Sequence, residues 1–140
     1  MELTNFVIED SFSAIEVDGL HRDLHNNYSF ERIVFDSSRR ELTVEWVKGQ
    51  GSWVPEDTPQ SLKLIFSDVS LFKCKERDSD MPYSEDDCMS SLGFIHNEML
   101  DELEGFSYEK PSSNANHLNV SFMSGFAFKV AAKTATCLTC

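Results

Sequence analysis

Along most of this chain, hydrophobic residues alternate with polar ones in short runs bounded by turn-forming residues. The longest such run before the C-terminal end is Ser61 to Lys75, SLKLIFSDVSLFKCK. Leu62, Leu64 and Phe66 alternate with Lys63, Ile65 and Ser67, so a half-buried strand places the first three on one face. The phase then slips, because Val69 and Leu71 are apolar at odd positions and the even phase resumes only at Phe72 and Cys74. A period of two cannot slip without a bulge, a bend or a tight turn, and Ser67-Asp68 has suitable chemistry for any of them.

Two hairpins follow from the same pattern. Between Tyr28 and Lys48, Phe35 is expected to face Leu42 and Ile33 to face Val44. That register leaves Ser37 to Arg40 as a loop closed by Asp36 and Glu41, a length common in hairpins. Near the C-terminal end, a two-residue Ser-Gly turn would set apolar against polar faces. A three-residue loop, Met123 to Gly125, instead pairs Phe122 with Phe126, Val120 with Phe128 and Leu118 with Val130. It keeps one apolar face intact and puts Gly125 where a left-handed residue is needed.

The other segments are read in the same way. Phe6-Val7-Ile8 and Ala14 to Val17 form either a strand pair or a strand entering a loop, and HRDLH (His21 to His25) fits a single helical turn. Gly49 to Gln60 is a loop by composition, with Trp53 expected to fold back over the core. Ser84 and Asp87 have capping-box spacing for a short helix through Leu92. Ile95, Met99, Leu103 and Phe106 recur at helical spacing and give a helix from about Glu98 to Glu104, with Asn97 as cap and Gly105 as stop. The expected fold is mainly β (α+β): six to eight strands in antiparallel sheet, as a sandwich or partly open barrel, with one or two short helices. Residues 1–140 are read as a single domain of a size that buries roughly 70% of its unfolded surface.

Charge changes the picture. The net charge is −12, and the run from Glu76 to Glu109 holds 11 acids and one base, Arg77, while the remainder is nearly neutral. Such a field repels polyanions and argues against nucleic acid as a partner. It serves solubility, and as a docking face it suits a basic protein. The residues expected to carry that contact are Asp78, Asp80, Glu85, Asp86, Asp87, Asp101 and Glu102. Polar residues interrupt every apolar stretch short of the roughly 18 residues of a membrane span. The N-terminal MELTNFVIEDSF has no basic region ahead of an apolar run, so a cytoplasmic protein is expected.

Candidate chemistry is sparse. Cys137-Leu-Thr-Cys140 could be half a zinc site, yet no second close pair accompanies it, and two thiols at a terminus are the simpler reading. His21 and His25 share a helical spacing without the adjacent Glu of zinc hydrolases. Asp78-Ser-Asp80 opens like a calcium loop, but Pro82 takes the third ligand position, Tyr83 stands where glycine is required and Met89 ends it. There is no GxSxG, Walker A or GxGxxG sequence, so neither a metal nor a cofactor is expected and a binding role is favoured over catalysis.

The lead containing histidine and aspartate, the strand–turn–strand FERIVFDSSRRELTVEW and the later strand Leu62-Lys-Leu-Ile-Phe-Ser-Asp-Val69 together resemble a group of small bacterial proteins. These are immunity-type and uncharacterised domains associated with polymorphic toxin systems. The resemblance spans Arg22 to Phe72, rests on pattern, and implies a protein-binding role without assigning residues to it. The alternative is a small-ligand-binding or enzymatic β domain, its pocket lined by Trp46, Trp53, Phe126 and Phe128. Homodimerisation through an edge strand is compatible with either reading.

Overall fold

A computed structural model describes residues 1–95 and 117–140. The helix expected over Glu98 to Glu104 lies outside these residues. Twelve strands are present among the described residues, more than the six to eight expected. They are β1 (Glu2–Leu3), β2 (Phe6–Ile8), β3 (Ala14–Val17), β4 (Leu20–Asp23), β5 (Tyr28–Asp36), β6 (Glu41–Lys48), β7 (Ser61–Ser67), β8 (Leu71–Lys75), β9 (Met89–Phe94), β10 (His117–Phe122), β11 (Ala127–Ala131) and β12 (Thr134–Thr139). They form three open sheets, ordered β1-β12-β7-β6-β5, β8-β11-β10-β9 and β2-β3-β4. Among the described residues every pairing is antiparallel except the short β1–β12 contact, and no sheet closes into a barrel.

The phase slip after Ser67 is where the chain leaves one sheet for the other. Strand β7 keeps Leu62, Leu64 and Phe66 buried in the five-stranded sheet, Asp68 turns with φ 55°, and β8 enters the four-stranded sheet. The return crossing, β11 to β12, lies beside it. Ser70 N–H donates to the Ala131 carbonyl at 2.8 Å and Lys133 N–H to the Ser67 carbonyl at 3.1 Å. Two adjacent strands therefore bend together from sheet to sheet with their backbone groups satisfied through the corner.

Both hairpins have the expected registers. Phe35 faces Leu42, Ile33 faces Val44 and Asp36 faces Glu41, with a bulge between Phe30 and Arg32. In the C-terminal hairpin Leu118 faces Val130 and Val120 faces Phe128; Phe122 N–H donates to the Phe126 carbonyl, and Gly125 has φ 86°. The apolar faces meet in one core that includes Trp46, Phe66, Leu92, Phe94, Val120 and Phe128. Ring contacts cross between the two larger sheets, Phe35 to Phe72 at 5.6 Å and Phe30 to Phe122 at 4.7 Å. The small sheet adds Phe6, Ile15 and Val17 to the same core.

Three expectations are corrected. HRDLH is not itself a helical turn: His21 to Asp23 belong to β4, the i→i+4 bond from Asn27 N–H to the Asp23 carbonyl (3.0 Å) closes only after it, and Asp18 (φ 49°) and Gly19 (φ 82°) form a two-residue turn that folds β4 back on β3, with Val17 opposite Leu20. The segment from Ser84 to Leu92 is not a helix. A 3-10 turn over Tyr83–Glu85 ends at once, and Met89 to Phe94 pair with β10, tertiary pairing overriding the local capping signal. Trp53 does not cover the core. It is 70% exposed, and its indole N–H donates to the Asn26 carbonyl at 2.8 Å.

Candidate functional site: an acidic groove with an aromatic floor

The acidic segment that follows β8 wraps one end of the two packed sheets. Its course is fixed by backbone bonds to three places. Asp78 N–H donates to the Ser124 carbonyl at 2.7 Å, in the β10–β11 loop. The Asp87 carbonyl accepts from Phe30 N–H at 2.8 Å, beside the β5 bulge, and the Cys88 carbonyl accepts from Met123 N–H at 2.9 Å. Within the segment, Pro82 has the extended conformation that starts the 3-10 turn, and Glu85 N–H closes it on the Pro82 carbonyl.

Between the segment and the sheets lies a groove of about 600 Å³, lined by Phe30, Glu76, Arg77, Ser79, Tyr83, Asp86 and Phe126. Its floor is aromatic. Phe30 and Phe126 are 6.5 Å apart centre to centre, and Phe122, buried behind them, lies 4.7 and 5.3 Å from the two. One wall is built around Arg77, whose Nε–H donates to the Asp86 carboxylate at 2.8 Å and whose terminal NH2 group donates to the Met81 carbonyl at 2.7 Å. The guanidinium also lies 4.6 Å from the centre of the Tyr83 ring. The one cation of this stretch is thus consumed by holding the segment in shape, while Tyr83 is left 82% exposed at the rim.

Five of the seven acidic residues expected to contact a partner are described, and they have different roles. Asp86 lines the groove but is already paired with Arg77. Asp78 is exposed, and its carboxylate accepts from the Asp80 amide at 3.0 Å in a local turn. Asp80 and Asp87 are exposed, Glu85 is half-buried, and among the described residues no ion pair holds any of the three. Their field is felt locally: the Cys88 thiol is pushed up, first by burial and then by the Glu85 and Asp87 carboxylates. Asp101 and Glu102 lie outside the described residues.

Sequence reasoning missed Arg77, Tyr83 and Phe30 as parts of this site. Arg77 stood out as the only base in an acidic run, a signal that it neutralises a particular neighbour. Of the four aromatics expected to line a ligand pocket, Phe126 alone reaches this groove. Trp46 and Phe128 are fully enclosed in the core, and Trp53 stands on a separate loop.

The cysteine pair does not converge. Cys137 faces the core with its thiol pushed up to about 12 by burial, whereas Cys140 is exposed at the end of the chain. Neither do the two histidines: His21 contacts the Glu9 carboxylate at 2.7 Å and His25 the Met89 carbonyl at 2.6 Å. Among the described residues, no group of three or more His, Cys, Asp or Glu side chains is arranged to hold a metal ion. No helix among them is long and apolar enough to cross a membrane. Comparison of the chain with known protein families, curated proteins and solved structures finds no match.

Proposed function

We propose that this chain is a protein-binding module whose acidic groove takes a basic segment of a partner protein. The observation that carries the reading is an aromatic floor beneath an acidic segment whose Arg77 is internally neutralised by Asp86 and whose exposed Asp80 and Asp87 make no ion pair among the described residues. Phe30 and Phe126 offer apolar area to one side chain of the partner, and Tyr83 offers an exposed ring to a cation. Asp80, Glu85 and Asp87 supply charge complementarity, which speeds encounter and excludes acidic competitors. Nucleic acid is disfavoured by the same field. The resemblance to immunity-type domains suggests the kind of partner: a basic protein whose working surface this face would cover.

The test uses a defined probe, a fluorescein-labelled peptide alternating arginine with leucine, followed by fluorescence anisotropy. The expected result is saturable binding that weakens about tenfold or more between low and physiological salt. Asp80→Asn combined with Asp87→Asn should weaken it, and so should Tyr83→Ala, which removes the exposed ring and its contact with Arg77 but leaves the Arg77–Asp86 pair in place. Binding that ignores both changes would overturn the assignment of this groove. A peptide with glutamate in place of arginine serves as the control and should not bind.

A further inference from the structure

Strand β5 is the outermost strand of the five-stranded sheet. Among the described residues it pairs with β6 on one side and with no strand on the other. In such an edge, alternate residues turn their backbone N–H and C=O groups away from the sheet, where another strand can bond them. Both ends of this edge are closed. At Phe30 the bulge interrupts it and the Asp87 carbonyl takes the amide at 2.8 Å, and beyond Asp36 the chain turns towards β6. Between them remain Arg32, Ile33, Val34, Phe35 and Asp36, whose backbone bonds among the described residues run to β6 alone. The stretch is unusually apolar for an edge, with Val34 52% and Phe35 43% exposed.

These five residues are complementary to themselves when two copies run antiparallel. With Val34 opposite Val34 of a second copy, Ile33 meets Phe35 and Arg32 meets Asp36, each contact being made twice. The two faces of the strand are respected. Arg32, Val34 and Asp36 share the outer face, while Ile33 and Phe35 share the side that packs on the core and on Phe72. A β-branched residue opposite an aromatic and a cation opposite a carboxylate are both favourable cross-strand pairs. The charged groups have capacity for the contact. Arg32 gives its Nε–H to Glu45, which leaves its terminal NH2 groups, and Asp36 accepts from the Ser38 and Arg39 amides through Oδ1, which leaves Oδ2. A register two residues away in either direction sets Val34 against Arg32 or against Asp36 and loses the charge pair. Two chains of net charge −12 repel, yet the hairpin Tyr28 to Lys48 holds four acids and four bases and brings none of that excess to the contact.

We propose that β5 is a self-association edge, through which two copies of this chain pair along residues 32–36 with Val34 on the two-fold axis. The five-stranded sheets then continue into one another across the axis. Because the pairing is isologous, it uses the edge of both copies and stops at two. The edge is short, so the dimer is weak, with a Kd of roughly 10–500 µM.

The test is sedimentation velocity of the full chain at rising concentration, in reducing buffer at physiological salt. A monomer–dimer equilibrium is expected. Val34→Lys sets two ammonium groups against each other on the axis and should weaken the dimer by about tenfold or more. Leu138→Lys, the same change at an exposed position of β12 in the same sheet, should leave it unchanged. Both variants should keep the parent's urea midpoint in dilute solution. The register is read by cross-linking in a chain carrying Cys74→Ser and Cys140→Ser, which removes the exposed thiols. On mild oxidation Val34→Cys should give a covalent dimer, since directly opposed Cβ atoms lie about 5 Å apart. Arg32→Cys should not, because residue 36 stands opposite it. A chain that stays monomeric at about 1 mM overturns the assignment and leaves β5 as an edge for a strand of another protein. A dimer untouched by Val34→Lys, one lost equally in Leu138→Lys, or equal cross-linking of Arg32→Cys would overturn it too.

Discussion

The Arg77 guanidinium donates to the Asp86 carboxylate at 2.8 Å, closing the acidic segment on itself around the 3-10 turn at Tyr83. The pair is partly exposed, with the Asp86 side chain 41% accessible, so its Coulomb energy is screened. Arg77 nevertheless makes a second bond, to the Met81 carbonyl, which Asp86 does not share. Arg77→Met should therefore cost about 1 kcal/mol, and Asp86→Asn less. Urea denaturation of both variants and of the double variant checks this, with a coupling of about 0.5 kcal/mol expected.

Gly125 joins the C-terminal hairpin to the groove. Its φ is 86°, and a Cβ placed there would lie 3.2 Å from both the amide nitrogen and the Cβ of Asp78. Gly125→Ala meets two penalties at once, left-handed strain and pressure on the backbone that bonds to Ser124. A loss of about 1–3 kcal/mol in urea unfolding is expected. Weaker anisotropy binding of the arginine-leucine peptide should accompany it, because Asp78 lies between Arg77 and Ser79, which line the groove.

What could be read from the chain depended on how local each determinant is. The hairpins at Tyr28–Lys48 and Leu118–Val130 were legible because alternation and turn chemistry sit in one short window. The slip at Ser67-Asp68 was legible as a bend. That it lies against the Ala131–Lys133 crossing was not, since the bonds that join them come from far along the chain. Asp18-Gly19 carries a hairpin signal between Val17 and Leu20 that competes with the helical spacing of His21 and His25, and strand pairing decides between them. The groove was half legible. Composition marked its acidic wall, but its floor joins Phe30 of β5 to Phe126 beyond β10, a contact made only when the two sheets pack.

Alkaline pH should destabilise the fold through two buried groups. Burial raises the Cys137 thiol from an ordinary 9.0 to about 12, and the Tyr28 phenol from 10.0 to about 12. Below an ordinary thiol's range both are protonated in folded and unfolded chains alike, so stability does not vary with them. As pH rises, the unfolded chain releases these protons first, so stability falls until the folded-state values near 12 are passed. Urea midpoints measured from pH about 8 to about 11 should decline steadily, and Tyr28→Phe with Cys137→Ala should flatten that slope. An unchanged slope in the double variant would assign the decline to other groups.

The two tryptophans are placed at opposite extremes, and this can be read out directly. Trp46 is fully buried in the core, whereas Trp53 is 70% exposed and rests against Gly51. Acrylamide, a neutral quencher unaffected by the protein's negative charge, should quench one emitting population strongly and the other scarcely. Trp53→Phe should remove the accessible population while the blue-shifted emission of Trp46 persists. Gly51→Ala probes the same contact, since a Cβ there would lie 2.3 Å from the Trp53 ring and the ring must move. Its displacement breaks the bond to the Asn26 carbonyl, so the Trp53 emission should change while global stability shifts by no more than about 0.5 kcal/mol. The loop that carries Trp53 should loosen in the same variant, visible as faster amide exchange at Thr58, whose N–H is bonded to the Pro55 carbonyl.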